Sequence, residues 1–403
     1  MSIEDSEEKQ KIVASLCEKY LQKLVNNYKQ HGDMNGTSDS NDSSIYSAEI
    51  HLWNQLKKYI DTHENNLVNC IHGFYVYILQ ALYSLTKGPA MDLYFVRCRT
   101  NISVDLKEVD KLLLYNIYMR LGDLNRSLKN LKVSKYYYLQ ACEIDPCRGH
   151  AYNQLSLVTT AQVFNSLYYS VRALMATEDA ISSAKNNMDS LVNRCSLMNP
   201  NIEPLFINEE SKIDSDRVDN WLHFIVVTIY CDKVKIVLTH VIKEVDKHLI
   251  VDSQKPIETI TMPKSDHKWI FSAFDVTIDI LTSQVSDDKL NSFEFEKEMI
   301  EIKGKLLTLI RDKNLTINSS KKGLALKHDY LLCGFAPLKD NHKQLDFNVD
   351  PPRDQENVQQ LILRISGKLD KLISLMAEKN AKNRAKKSRN IALQSILGSK
   401  GSS

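Results

Sequence analysis

The chain has 403 residues, with 12 Gly and 9 Pro, and its 52 Lys+Arg nearly balance its 50 Asp+Glu, a net charge of +2. Gly and Pro together fall well below the usual share of roughly 12%, which excludes a turn-rich all-β fold and points to helices. No glycine occurs between Gly149 and Gly304 and no GxGxxG or GxxxxGK[ST] occurs anywhere, which disfavours nucleotide-dependent catalysis; the balanced charge leaves only local patches as electrostatic signals.

In chain order, residues 5–30 carry Ile12, Leu16, Tyr20, Leu24 and Tyr28 on one helical stripe. The polar, Gly/Ser/Asp-rich run 31–46 reads as a flexible loop. Helices are expected at about 47–63 and 65–87, and again from about 108. From Tyr115 the spacing fits a 34-residue tetratricopeptide unit, a hairpin of two helices. Its small positions are Gly122, Ser134 and Ala141, its large ones Tyr118, Leu121 and Tyr138, and its terminal proline is Pro146. A second, degenerate unit starts at Ala151, with Ser156 at the first small position. The polar stretch 199–216 reads as a boundary. A long amphipathic helix follows at about 218–250, then a loop over 252–266, and helices at about 267–285, 288–313 and 323–334. Residues 337–353, with three prolines, look irregular. A last helix carries Leu361, Ile365, Leu369, Leu372 and Met376 on one face, and a basic, disordered tail is expected over 379–403. The fold expected is therefore all-α, in three parts: 1–195 with tetratricopeptide-like hairpins, a helical-hairpin extension over 196–378, and the tail.

Chemistry-bearing patterns are sparse. There is no HExxH, GxSxG or CxxC. The acidic pairs Asp287/Asp288 and Glu209/Glu210 read as solvated surface, and the eight cysteines as reduced thiols packed as small hydrophobes. The most apolar stretch, Phe224 to Ile242, holds Asp232, Lys233 and Lys235, which does not suit a membrane span. We therefore expect no enzymatic activity, no cofactor and no metal. Two basic sites sit inside apolar patterns: Lys57 and Lys58 in LWNQLKKYI (52–60), and Arg126 in GDLNR (122–126). An Arg fork and a Lys point charge on neighbouring helices can hold a phosphoserine, although spacing alone favours snorkelling surface residues.

The block LGDLNR, then YYYLQACEIDPCRGHAYNQLS (136–156), then YYSVRAL (168–174), together with LWNQLKK, resembles the 14-3-3-like adaptors of nonsense-mediated mRNA decay. These are the SMG proteins and the related Ever Shorter Telomeres proteins, and the chain is most similar to the SMG-seven branch. The resemblance implies a 14-3-3-like domain followed by stacked hairpins. It implies a phosphate-binding pair at Lys58 and Arg126, with Lys57 and Arg120 as supporting candidates. Ser127 replaces the family's Tyr and removes one aromatic hydroxyl from the site. The implied partners are the phosphorylated up-frameshift RNA helicase and a paralogous 14-3-3-like SMG protein, in a heterodimer. RNA is expected to bind weakly if at all, with no membrane, and the location is expected to be cytoplasmic, with possible shuttling to the nucleus. Two other readings stay open: a dimerisation scaffold with an unused groove, and a telomerase-associated nucleic-acid-binding cofactor.

Overall fold

A computed structural model describes residues 3–32, 39–60, 65–85, 108–198, 268–286, 296–312 and 354–398, with short stretches at 251–252, 259–260, 323–326 and 332–346 and the single residues 245, 249 and 329. The described residues are almost all helical, as the composition leads one to expect. The chain divides into two compact units, Met1–Asn193 and Arg194–Ser403.

The first unit begins with α1 (Ile3–Gly32), α2 (Asp39–Ile60) and α3 (Asn65–Leu85), which pack against one another. Of the flexible loop expected over 31–46, residues 33–38 lie outside the described residues and the rest is helical. α1 runs through Gly32 and α2 begins at Asp39, where aspartates at a helix start suit its positive end. α4 (Glu108–Ser127) packs against both α2 and α3 and pairs with α5 (Leu131–Ile144) as a hairpin. The small and large positions of the repeat do what their spacing requires. Gly122 lies under the Tyr138 ring so closely that a Cβ there would come within 2.3 Å of it. The Ser134 hydroxyl donates to the Gly122 carbonyl at 2.8 Å, and Tyr138 and Ala141 are fully buried.

A second hairpin joins α6 (Gly149–Val158) to α7 (Val163–Leu174), followed by α8 (Ala184–Met198). Ser156 is tolerated at the small position: it is buried, and its carbonyl accepts the Ser166 hydroxyl at 2.6 Å. The α5–α6 turn is tied to the α7–α8 connection. Glu178 N–H donates to the Cys147 carbonyl at 2.9 Å, and Arg148 holds Asp145 at 2.7 Å, Glu178 at 3.5 Å and Asp179. Arg172 is fully buried between the rings of Tyr152 and Tyr168 and donates to both hydroxyls, at 2.8 and 3.3 Å.

In the second unit α9 (Lys268–Ser286) and α10 (Glu296–Asp312) both pack on α12, a 45-residue helix from Asp354 to Gly398. The helix expected over 218–250 and the boundary expected over 199–216 lie outside the described residues, apart from buried Val245 and Leu249. Three expectations need correction here. The 252–266 loop is flanked by a short antiparallel pair, β1 (Val251–Asp252) with β2 (Thr259–Ile260). No helix spans 323–334: Gly323–Leu324 (β3) pairs in parallel with Leu345–Asp346 (β4), and Gly334 turns the chain at a φ of 73° that β-carbon residues avoid. Between them the short turn α11 (Lys339–His342) follows Pro337. Third, the tail expected to be disordered is helical through Gly398. A helix already formed extends cheaply through good helix formers, and 379–397 is rich in Ala, Lys, Arg, Gln and Leu.

A buried ion network holds α9 to α12. Arg364 joins Asp275 and Asp329 (2.7 Å to the latter), while Lys368 joins Asp275 at 2.9 Å and Asp279 at 2.5 Å. No helix among the described residues is long and apolar enough to cross a membrane, and no group of three or more metal-type ligands occurs among them.

The described cysteines differ sharply in surroundings. Burial, and then the nearby Cys70, push the Cys17 thiol up to about 12; burial likewise raises Cys142, while Cys70 is exposed. The thiolate is the reactive form. A maleimide at pH 7.5 should therefore label Cys70 in the native protein and reach Cys17 and Cys142 only in denaturant. Early labelling of Cys142, read by peptide mass spectrometry, would contradict this packing.

Candidate functional site

The ends of α2 and α4 carry all four candidate residues. Glu49 of α2 is the pivot of their packing. It accepts from Asn116 at 3.4 Å, from Tyr75 at 3.1 Å and from both nitrogens of the Arg120 fork, at 3.0 and 3.2 Å. Arg120 also stacks on the Trp53 ring at 4.8 Å. Burial would lower the Arg120 pKa, and Glu49 outweighs that and holds it raised. The supporting phosphate role expected of Arg120 therefore does not fit. Its planar fork is already filled by a carboxylate, in a side chain only 16% exposed.

The register of these contacts runs the same way along both helices, Glu49 against Asn116 and Arg120, Trp53 against Arg120. Lys58 lies five residues beyond Trp53 and Arg126 six beyond Arg120. Both lie beyond these contacts, in the last turns of α2 and α4. Both are exposed, as is Lys57. Lys57 follows Trp53 by one turn on the stripe that meets α4, and Lys58 lies on the next face round, with its ammonium 5.9 Å from the Tyr59 ring.

Arg126 is positioned by its own hairpin. Its guanidinium lies 3.7 Å from Asp123 and bonds the Tyr138 hydroxyl, which in turn donates to Asp123 at 2.7 Å. Burial opposes the charge on Arg126; the Tyr138 bond and Asp123 more than restore it, and its pKa is raised. Ser127, which replaces the family's Tyr, donates back to the Leu124 carbonyl at 2.8 Å. Tyr138 thus presents an aromatic hydroxyl to Arg126 from α5. The sequence reading gave Tyr138 only a packing role. Its place at the large position opposite Gly122, one turn from Arg126, was the signal that could have found the second role.

The alternate helices of the unit are joined side by side. Glu49 links α2 to α4, the Tyr115 hydroxyl accepts from Ala151 N–H at 3.1 Å to link α4 to α6, and Asn187 donates to Asn153 at 3.3 Å to link α8 to α6. One face of the unit is therefore built from α2, α4, α6 and α8. It carries two amide side chains, Asn153 and Asn187, both half-buried, that the sequence reading did not assign.

Residues 134–259 match the family model of the Est1 DNA/RNA binding domain. The match begins in α5, so Lys58 and Arg126 lie outside it. No curated protein matches the chain by sequence. Among solved structures, the C. elegans SMG5-SMG7 complex is similar over 92% of this chain and 100% of that one, at 16% identity and a TM-score of 0.39, too loose a likeness to transfer residues from. The matched segment takes in the second hairpin with its NQLS and YYSVRAL motifs, and over that segment the chain is similar to the Est1 DNA/RNA binding domain family.

Proposed function

We propose that the chain is a phosphoserine-binding adaptor of nonsense-mediated mRNA decay. Lys58 and Arg126 take the phosphate, Lys57 adds positive potential, and the protein brings a phosphorylated RNA helicase together with a paralogous 14-3-3-like SMG protein. This reading makes its place of action cytoplasmic and its role non-enzymatic. The observation that carries it is the fixing of Arg126 by Asp123 and Tyr138 on α4, the helix that packs against the α2 that carries Lys58. A guanidinium whose position is set in advance loses less entropy on binding an anion. Asp123 is no obstacle of principle, since its contact with Arg126 is 3.7 Å long and the Arg126 side chain is 44% exposed.

A second reading is favoured by the match of residues 134–259 to a DNA/RNA binding domain: a telomerase-type cofactor whose first ligand is nucleic acid. Fluorescence anisotropy separates the two. A phosphoserine peptide should bind at least tenfold more tightly than its unphosphorylated form, and single-stranded RNA should not displace it. Equal affinity for both peptides, or displacement by RNA, would favour the second reading.

A further inference from the structure

α1 ends at Gly32 and α2 begins at Asp39; α2 ends at Ile60 and α3 begins at Asn65. Connections this short make packed neighbours antiparallel, so α1 and α3 run in the same direction, and they also pack on each other. Their register is given by the Tyr20 and Phe74 rings, which meet edge to face with centroids 6.3 Å apart. Residues three or four apart share a helix face. Cys17 lies one turn before Tyr20, and Cys70 one turn before Phe74. The two thiols therefore face each other across the same seam, one turn nearer the start of both helices. Their nearness also shows in the Cys17 thiol, which burial raises first and Cys70 second. The buried Cys142, by contrast, has Arg172, Tyr152, Glu143 and Asp145 about it, and no cysteine among them.

Two thiols so placed can be joined without moving the helices apart. Helix axes pack about 8–10 Å apart and each Cα lies about 2.3 Å off its axis, which leaves facing Cα atoms within the roughly 4.4–6.8 Å that a disulfide spans. Access to the pair is one-sided. Cys17 is 8% exposed, within the seam, while Cys70 is exposed at its rim. Gly73, one turn along the outer face of α3, leaves open space beside it: nothing lies within 4 Å of where its Cβ would be. A small oxidant therefore meets Cys70 first, and Cys17 stands behind it, shielded from solvent.

We propose that Cys17 and Cys70 form a reversible disulfide that clamps α1 to α3 when the protein meets a hydroperoxide. In the reduced protein both are free thiols. The exposed Cys70 sulfur attacks a peroxide oxygen and breaks the O–O bond. It becomes a sulfenic acid, and with hydrogen peroxide the other oxygen leaves as water, taking the Cys70 proton. The Cys17 sulfur then attacks the Cys70 sulfur. The S–O bond breaks, and the hydroxyl departs as a second water with the Cys17 proton. Two electrons pass from the two thiols to the peroxide, and a thiol reductant supplies two electrons to reopen the bond. The ring so closed contains all of α2 (Asp39–Ile60). Closing it removes freedom from the unfolded chain, so the first unit gains stability on oxidation. The pair does not depend on the phosphopeptide reading.

The test oxidises the full chain with hydrogen peroxide under native conditions, blocks the remaining thiols and maps the peptides by mass spectrometry. Trypsin releases Cys17 in the peptide 12–19 and Cys70 in the peptide 59–87, each with a single cysteine. The expected product is these two peptides joined, lighter than their sum by a pair of hydrogens and separated again by dithiothreitol. Cys70→Ser should abolish the link; the residue is exposed, and circular dichroism checks that the helix content is kept. Cys17→Ala should leave Cys70 as a sulfenic acid that dimedone traps. The oxidised wild type should unfold at a higher denaturant concentration than the reduced protein, and Cys70→Ser should show no such shift. Oxidation of Cys70 in the wild type with no joined peptides would overturn the proposal. So would a link to any other cysteine or between two chains, or an oxidised form less stable than the reduced one, because a disulfide at odds with the packed helices stores strain.

Discussion

Glu49→Ala should cost the first unit about 3–5 kcal/mol, the range for stranding one member of a buried ion pair. The carboxylate has four donors to satisfy: two from the Arg120 fork, one from Tyr75 and one from Asn116. Removing it leaves the guanidinium of a side chain that is only 16% exposed, stacked on the Trp53 ring, without its anion. Glu49→Gln keeps the shape and an acceptor and should cost less than half as much. Glu49→Leu combined with Arg120→Leu should recover part of the loss, because both charges go together. Denaturant titration of each variant measures the series. A loss below about 1 kcal/mol for Glu49→Ala would mean that Arg120 is not committed to this pair.

The second large effect is at Gly149. An added Cβ would meet the carbonyl oxygen of Asp179 at 2.6 Å and that of Ala173 at 2.7 Å. Both obstacles are backbone, so no rotamer change relieves them, and Gly149→Ala must push the α5–α6 turn off the α7–α8 connection. The expected cost is about 3 kcal/mol, at the upper end for overpacking. Early proteolysis should appear near Asp179, itself held at a strained φ of 46°. Gly73 is the contrast. It is exposed inside α3 with nothing within 4 Å of its would-be Cβ, so Gly73→Ala should stabilise by roughly 0.5–1 kcal/mol. If the two glycines responded alike, the close approach at Gly149 would be refuted.

What the sequence made legible was short-range. Gly122, Ser134 and Tyr138 lie within one hairpin, and their spacing encodes which of them touch. The apolar stripe of α12 is likewise a local pattern. The commitment of Arg120 to Glu49 was not legible, because the two are 71 residues apart and only the packing of α2 on α4 brings them together. In sequence Arg120 looks like any other cation near the family motif. Residues 323–334 read as a helix by their apolar content, yet glycines at 323 and 334 bound a stretch that pairs as strand and then turns. The basic tail reads as disorder because it lacks apolar periodicity, the signal that marks a packed helix. It is helical because α12, already nucleated on α9 and α10, continues through residues of high helix propensity. The site was half legible. Lys58 and Arg126 came from motifs, whereas the Asp123–Tyr138 bond that orients Arg126 came only from the fold.

That bond also makes the central claim specific. The most direct test is the affinity of a phosphoserine peptide for the wild type, for Lys58→Glu with Arg126→Glu, and for Tyr138→Phe. A charge-assisted contact contributes roughly 1.5–3 kcal/mol. The double reversal should therefore weaken binding by at least a hundredfold, with the fold intact because both side chains are exposed. Tyr138→Phe, which frees Arg126 from its hydroxyl partner, should weaken binding by a smaller factor. Binding of the double-reversal variant as tight as wild type would contradict the assignment of Lys58 and Arg126 as the phosphate-binding pair.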